Sequence, residues 1–321
     1  MCGLAGFLRT PSTPDRAAHK DWLARMGESI RHRGPDAGAI WTDDGVGMVH
    51  RRLSIIDLSE AGNQPMVSAS GRYVIVFNGE IYNFQELREH LCREGHVFRT
   101  GTDTEVLLTL YETMGPECLG LLNGMFAIAV WDKTASSLFL ARDRLGKKPL
   151  YFYHNAGHFA FASEIKALLP LPFLNTELRH DAIKDFFAYQ YVPDPKTIYR
   201  NIYKLPPGHW LETDGVKVQQ AQYWDLAFDN PSSRSADSLA EELYALIDDA
   251  VRLRMVSDVP LGAFLSGGVD SSLICYFANK YKKNKFSTFS MGSDSAVHDE
   301  SFQAQKYADD LGTTHYSTFL N

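Results

Sequence analysis

Cys2 is followed by Gly3, and a small second residue favours removal of Met1, so the mature chain is expected to begin with a thiol. A terminal cysteine carries its own base, because the free α-amino group titrates near pH ~8 and sits within one water of the sulfur. On position alone, an early residue of a buried first strand is the better reading. Three further segments offer what acyl transfer needs. His-Arg-Arg-Leu-Ser-Ile-Ile-Asp at 50–57 sets the Arg52 cation next to a strand. Phe-Asn-Gly-Glu-Ile-Tyr-Asn at 77–83 puts Asn78 and Gly79 at a strand end, where a side-chain amide and a backbone N–H converge on a tetrahedral oxyanion. Gly-Thr-Asp-Thr-Glu at 101–105 places Asp103 at a helix start. Taken singly, each has an ordinary reading: a surface charge for Arg52, a hairpin turn for Asn78-Gly79, and a helix N-cap for Asp103.

A second constellation is Leu265-Ser-Gly-Gly-Val-Asp-Ser-Ser272, between an apolar strand and a helix. Gly267 and Gly268 let the backbone close around an anion. The loop amides and the Ser266, Ser271 and Ser272 hydroxyls donate to phosphate at the positive end of a helix. Asp270 carries the same sign as phosphate, so a magnesium ion bridging the two is the economical reading. Any strand-to-helix turn can be rich in Gly and Ser, but the full SGGxDSS after Val-Pro-Leu-Gly-Ala-Phe-Leu is far more specific. The chain has no GxxxxGK[ST], no GxGxxG opening a helix and no HExxH, and its eleven histidines are scattered without metal-ligand spacing.

Short apolar strands and a few helices must position these residues. The runs 72–77 and 124–131 are continuous in apolar or β-branched residues, as strands buried on both faces are. Segments 138–141 and 150–153 read as further strands, with Gly146 and Pro149 marking the turn between them. Helices are predicted over 21–30, 84–94 and 104–114, the last with an apolar stripe of Val106, Leu107, Leu110 and Tyr111. The mixture predicts an α+β layered domain. Prolines 193, 195, 206 and 207 favour extended chain. The polar, breaker-rich stretch from Asn230 to Ser235 is the expected linker. Beyond it, Asp237 is the expected cap of a helix carrying Leu239, Leu243, Leu246 and Ala250. Strands at 259–265, 286–291 and 314–319 then alternate with helices at 271–280 and 300–311, which implies a parallel sheet with crossover helices.

Composition narrows the rest. A length of 321 residues points to two domains; 45% hydrophobic and 22% charged residues are ordinary for a soluble globular protein. A formal net charge of −7 argues against a nucleic-acid partner. The most apolar run, 125–131, is far short of the ~20 residues a bilayer requires, and no signal peptide is recognisable. Cys2, Cys92, Cys118 and Cys275 are widely spaced, which fits a reducing cytoplasm better than disulfides or a zinc site.

The order of motifs carries more. Cys-Gly at the terminus, Arg31-His-Arg-Gly-Pro-Asp36, Arg52-Leu-Ser-Ile-Ile-Asp57, Asn78-Gly-Glu-Ile-Tyr-Asn83 and Gly101-Thr-Asp103 resemble the class II glutamine amidotransferases, specifically the glutamine-hydrolysing asparagine synthetases. Arg142-Asp-Arg-Leu-Gly-Lys-Lys-Pro-Leu-Tyr151 and Ser163-Glu-Ile-Lys-Ala-Leu168 match further stretches of that family. The resemblance implies the αββα sandwich of N-terminal-nucleophile hydrolases over residues 2–210, a linker at 211–235 and the start of an ATP-pyrophosphatase domain over 236–321. By it, Cys2 forms a glutamyl thioester and Asn78 and Gly79 hold the oxyanion. Arg52 pairs with the glutamine carboxylate, Glu80 and Asp103 answer its ammonium, and Leu53, Ser54, Ile55 and Ile56 line the pocket. Leu265, Ser266, Gly267, Gly268, Asp270, Ser271, Ser272 and Met291 contact ATP, with magnesium at Asp270. Aspartate is the expected acceptor, activated as its β-adenylate, and the family leaves room for a homodimer. A later Ser-Gly-Glu-Gly-Ser-Asp-Glu segment and a downstream lysine of that family are missing, so glutaminase alone is the expected activity of these 321 residues. Two rivals stand beside this reading: an amidotransferase for another carboxylate, such as a sugar acid or β-lactam precursor, and a non-catalytic paralogue serving as an assembly partner.

Overall fold

The computed structural model describes residues 1–8, 16–44, 46–228, 231–282, 286–293 and 299–320. The chain divides into two compact units, Met1–Ala227 and Phe228–Asn321. The first begins with β1 (Gly3–Leu8), α1 (Arg16–Ser29), β2 (Ala37–Asp43), β3 (Val46–Arg52), β4 (Met66–Val67) and β5 (Tyr73–Ile81). Two helices follow, α2 (Phe84–Arg93) and α3 (Asp103–Met114), then β6 (Gly124–Asp132), β7 (Ser137–Arg142), β8 (Tyr151–Asn155) and β9 (His158–Ala162). The unit closes with α4 (His180–Tyr189), β10 (Ile202–Lys204), β11 (His209–Thr213) and β12 (Val218–Gln222).

These strands form two antiparallel sheets, ordered β10-β8-β9-β1-β3-β2 and β12-β11-β7-β6-β5-β4. Period-two alternation sends the side chains of each central strand to different cores. From β1, Leu4 and Leu8 enter the core between the sheets, where they meet Val74, Val76, Ala129, Trp131 and Leu140 of the facing sheet. Ala5 and Phe7 point the other way, onto Trp22, Leu23 and Met26 of α1. On the far side, Tyr111 of α3 packs its ring on Phe139 of β7 and Tyr73 of β5. The result is four layers, α-β-β-α. Because both sheet faces are covered, the inner strands are apolar throughout, and each fully buried Leu or Phe contributes roughly 1.5–3 kcal/mol.

Three sequence expectations change here. Asn78 and Gly79 do not end a strand: they lie inside β5, opposite Ala127 and Phe126 of β6. The pairing overrides the turn preference of the dipeptide. Residues 211–222, expected as linker, belong to the sheet, since β11 pairs with β7 and β12 pairs with β11. Leu211 is fully buried there, and the polar outer strand Val218–Gln222 carries too weak an alternation to be recognised. Of the linker stretch 230–235, Asn230 lies outside the described residues. The helix after it is capped by Ser235, whose side chain accepts from Ser238 N–H, and not by Asp237.

The second unit contains α5 (Ala236–Arg254), β13 (Gly262–Phe264), α6 (Val269–Tyr281), β14 (Ser287–Ser293), α7 (Ser301–Leu311) and β15 (Thr314–Leu320). Its sheet is parallel, ordered β13-β14-β15. β13 is shorter than the apolar run 259–265 suggested; Pro260 lacks the N–H that a ladder needs. No helix among the described residues is long and apolar enough to cross a membrane.

The close approach of β5 to β6 makes a definite prediction. A Cβ at Gly79 would sit 2.2 Å from the Met125 carbonyl oxygen, whereas one at Gly120 would meet nothing within 4 Å. Gly79→Ala is expected to destabilise the first unit by about 1–3 kcal/mol, and Gly120→Ala to stay within about 0.5 kcal/mol of the parent. Thermal melting of the two variants checks this.

Candidate active site

Where β1 starts, β3 ends, β5 runs past β6 and α3 begins, the first unit has a cavity of about 110 Å³. A water needs roughly 10–15 Å³ by the same measure, so the space suits a ligand of amino-acid size. Its walls include Cys2, Arg52, Leu53, Ile55, Ile56, Asn78, Gly79, Glu80 and Asp103. Ser54 is the one expected glutamine contact that does not line it; its N–H is held 2.8 Å from an Asp36 carboxylate oxygen. Met1, Gly62, Gln64, Met125 and Lys148 also line the cavity, and sequence reasoning had assigned none of them to the site.

The position of Cys2 is set by side chains from distant parts of the chain. Arg33 Nε donates to the Cys2 carbonyl at 2.9 Å, and Arg33 Nη1 pairs with Glu164 at 2.9 Å. Glu164 is also in contact with His32 and Lys166, and these partners hold its carboxyl at about 2, against the opposing effect of burial. Ser163 holds the chain two residues on: Leu4 N–H donates to its hydroxyl, and its own N–H donates to the Leu4 carbonyl. The segments 31–36 and 163–168, recognised only as motifs, are therefore the clamp on the first strand.

The thiol itself touches the chain after β3. Leu53 N–H lies 3.4 Å from Cys2 Sγ, and Sγ lies 3.6 Å from the Leu53 carbonyl. Burial pushes the Cys2 thiol above the ordinary cysteine range, with the Leu53 N–H opposing it. A protonated thiol needs a base, and no histidine among the described residues lines the cavity. The nearby His50 is fully buried, with Nε2 3.0 Å from the Phe77 carbonyl. Burial holds it down at about 4, so the neutral ring braces β5 one residue before Asn78.

Asn78 is 1% exposed, and neither its Nδ2 nor its Oδ1 has a partner among the described residues. An amide buried without hydrogen bonds costs roughly 1–3 kcal/mol and calls for a ligand. Asp103 is buried in the first turn of α3, with Thr102 as the actual cap. Burial raises its carboxyl to about 6, although Ile81 N–H donates to it at 3.0 Å. Arg52 is more occupied than the sequence suggested. Nη1 donates to the Ser59 carbonyl and Asn63 Oδ1, and Nη2 to the Ile56 and Asp57 carbonyls. The guanidinium thus ties down the loop 53–63 and brings its charge to the cavity wall.

In the second unit, Ser266–Ser272 forms a loop into the first turn of α6. Its amides are taken up locally: Ser266 N–H by Ser271 Oγ, Gly267 N–H by Glu300 at 3.0 Å and Gly268 N–H by Ser266 Oγ. A carboxylate on Gly267 N–H shows that the loop holds an anionic oxygen. Leu265 is buried beside it, Asp270 is exposed, and Met291 on β14 is 60% exposed. No cluster of three or more His, Cys, Asp or Glu suited to a metal occurs among the described residues.

Comparison with known proteins agrees with this geometry. A family model described as a glutamine amidotransferase domain matches residues 1–224. The chain belongs to the glutamine amidotransferase family. The second unit of this amidotransferase matches a model described as asparagine synthase over residues 242–321. The amidotransferase is 37% identical over 323 residues to asparagine synthetase (glutamine-hydrolysing) 1 of Bacillus subtilis, with 100% of this chain and 50% of the relative covered. To asparagine synthetase (glutamine-hydrolysing) 3 of the same organism it is 34% identical over 340 residues, covering 100% and 54%. The chain thus spans about half the length of these relatives. Its fold is that of the B. subtilis glutamine phosphoribosylpyrophosphate amidotransferase solved with ADP and GMP. That match has a TM-score of 0.51 and 16% identity, and covers 98% of this chain and 65% of the other. The fold is therefore the N-terminal-nucleophile sandwich followed by the start of a parallel-sheet domain.

The Glu164 clamp predicts a pH effect. Its carboxyl titrates lower in the folded chain than when unfolded, so its stabilising contribution is present above about pH 4.5 and is lost as pH falls towards 2. Glu164→Gln is expected to be less stable at neutral pH and to lose less stability than the parent over that window, as read from denaturant midpoints at a series of pH values.

Proposed function

We propose that this chain hydrolyses glutamine to glutamate and ammonia with Cys2 as nucleophile, once Met1 has been removed. The observation that carries the reading is the buried, unpartnered Asn78 amide in the same cavity as Cys2 and Gly79. The α-amino group of Cys2 takes the thiol proton as sulfur attacks the carboxamide carbon. Asn78 Nδ2 and Gly79 N–H hold the oxyanion of the tetrahedral intermediate. The same proton passes to the departing nitrogen, ammonia leaves, and water hydrolyses the thioester to glutamate. Asp103 and Glu80 attract the substrate α-ammonium. Arg52 supplies positive charge to the α-carboxylate while its terminal nitrogens keep the 53–63 loop closed. Leu53, Ile55 and Ile56 wall the pocket.

The asparagine synthase-like unit supports a second half to the proposal. In the family that the relatives' names give, ammonia from glutamine serves to form asparagine; by the resemblance drawn above, the acceptor is aspartate activated by ATP as its β-adenylate, while these 321 residues are proposed to carry the glutaminase step. Ser266, Gly267, Gly268, Ser271 and Ser272 would hold the phosphates at the start of α6, with Leu265 and Met291 against the nucleoside. Asp270, exposed at the start of α6, would hold a magnesium ion, which would supply charge neutralisation to the phosphates. The four free cysteines fit a cytoplasmic location.

Two outcomes test the glutaminase. Cys2→Ala abolishes ammonia release from glutamine while leaving glutamine binding intact; undiminished release in that variant refutes the nucleophile. The affinity of Cys2→Ala for glutamine, measured calorimetrically, falls as pH drops through about 6, because protonation neutralises Asp103. Asp103→Asn binds about ten-fold or more weakly and without that pH step. A pH step retained in Asp103→Asn assigns it to another group.

A further inference from the structure

One charged side chain in the cavity wall has no part in the reaction as described so far. Lys148 is only 4% exposed and lines the cavity with Met1, Cys2, Asn78 and Glu80. Burying an ammonium is costly, and a lysine free to choose would reach for solvent. This one is not free. Its N–H donates to Asp143 Oδ2 at 2.9 Å, and its carbonyl accepts from Arg142 Nε at 2.9 Å. Asp143, itself 1% exposed, also collects the N–H groups of Phe126, Leu145 and Lys147. Arg142 reaches on to the Gly146 and Leu205 carbonyls and to Asp194. Gly146 turns the loop with a φ of +65°, and Pro149 follows with its φ fixed. Two buried charged residues thus hold the backbone of Lys148 at both ends, and its side chain is delivered to the cavity of the nucleophile.

We infer that Lys148 is a positioning cation for glutamine hydrolysis: its charge keeps the α-amino group of Cys2 in the neutral, proton-accepting form and favours the thiolate. The inference rests on the glutaminase reading. Lys148 neither gives nor takes a proton; the thiol proton goes to the amine and then to the departing nitrogen, as above. A positive charge in a dry wall disfavours a second positive charge and favours a negative one. With Met1 in place, the charged groups that face the Met1 amine are the Cys2 thiol, Lys148, Arg33 and Asp36. Burial lowers the Met1 amine first, Lys148 and Arg33 lower it further, and Cys2 and Asp36 oppose them; removal of Met1 puts the amine on Cys2, in the same cavity as Lys148. The thiol also faces Asp103, which disfavours the thiolate, and Arg52, which favours it. Lys148 in turn faces Arg33, Glu80, Cys2 and Asp143. Of the two cations, Arg33 is ion-paired with Glu164, whereas Lys148 lines the cavity itself, where burial and Arg33 oppose its charge and Glu80, Cys2 and Asp143 support it.

The test uses the full chain with Met1 removed, comparing the parent with Lys148→Met and Lys148→Arg. Ammonia release from glutamine and alkylation of Cys2 by iodoacetamide are both followed from about pH 5 to 9. In Lys148→Met, the acid limb of kcat/KM and of alkylation moves up by roughly one pH unit, and the rate recovers above it. Lys148→Arg keeps the parental profile. Unchanged profiles in Lys148→Met overturn the inference, and so does a Lys148→Arg variant as impaired as the Met variant, which would make the lysine a proton carrier. A parent that releases no ammonia refutes the glutaminase reading instead, while the alkylation profiles still report on Lys148.

Discussion

Everything at this site depends on the placement of the start of β1. A nucleophile at the chain terminus has one neighbour in sequence to hold it, so tertiary contacts must do what a flanking chain does elsewhere. β1 is paired on both sides, with β3 and β9, and its side chains enter two cores. At its first residues the pairing gives way to ionic and polar contacts: Arg33 on the Cys2 carbonyl, Glu164 on Arg33, and Ser163 on Leu4. Removing Met1 leaves those contacts intact, because they fall on the Cys2 carbonyl and beyond. The terminus is thereby freed without being loosened.

The cavity that results carries charges of both signs on largely buried walls. Burial raises the Cys2 thiol and Asp103 and lowers the Met1 amine and His50. Each shift favours the neutral form, as desolvation must. A neutral thiol beside a neutral amine is a competent pair for nucleophilic attack, since one proton transfer creates the thiolate at the moment it is used. The Arg52 guanidinium is held by the Ser59 and Asp57 backbone carbonyls, and the Lys148 backbone by the Arg142 and Asp143 side chains; in the mechanism proposed above, both cations bias that transfer electrostatically. Arg52 also explains a glycine: a Cβ at Gly62 would lie 2.3 Å from its Nη2.

Much of the architecture was legible because strands buried on both faces leave continuous apolar runs, and β5, β6, β7 and β8 follow the runs at 72–77, 124–131, 138–141 and 150–153 closely. Cys2, Arg52, Asn78, Gly79, Glu80 and Asp103 could be picked out because each is a chemically marked residue in a short motif, and the fold gathers them in one cavity. The residues that escaped notice act at long range. Arg33 and Glu164 are 131 positions apart, and Lys148 reaches the cavity only through the loop closed on Asp143. No local periodicity reports such partnerships. Strands β11 and β12 were missed because one face of the outer strand is polar, and the Asn78-Gly79 dipeptide was misplaced because its turn preference yields to nine-residue pairing with β6.

The central claim is that Cys2, as the first residue of the mature chain, attacks a glutamine held against Asn78 and Gly79. A glutamine analogue carrying a diazoketone in place of the carboxamide tests it directly, since it alkylates whichever thiol attacks that position. Mass spectrometry of the intact and digested chain should find a single adduct, on an N-terminal Cys2, blocked by excess glutamine. An adduct on Cys92, Cys118 or Cys275, or a labelled chain that still begins with Met1, would contradict the account.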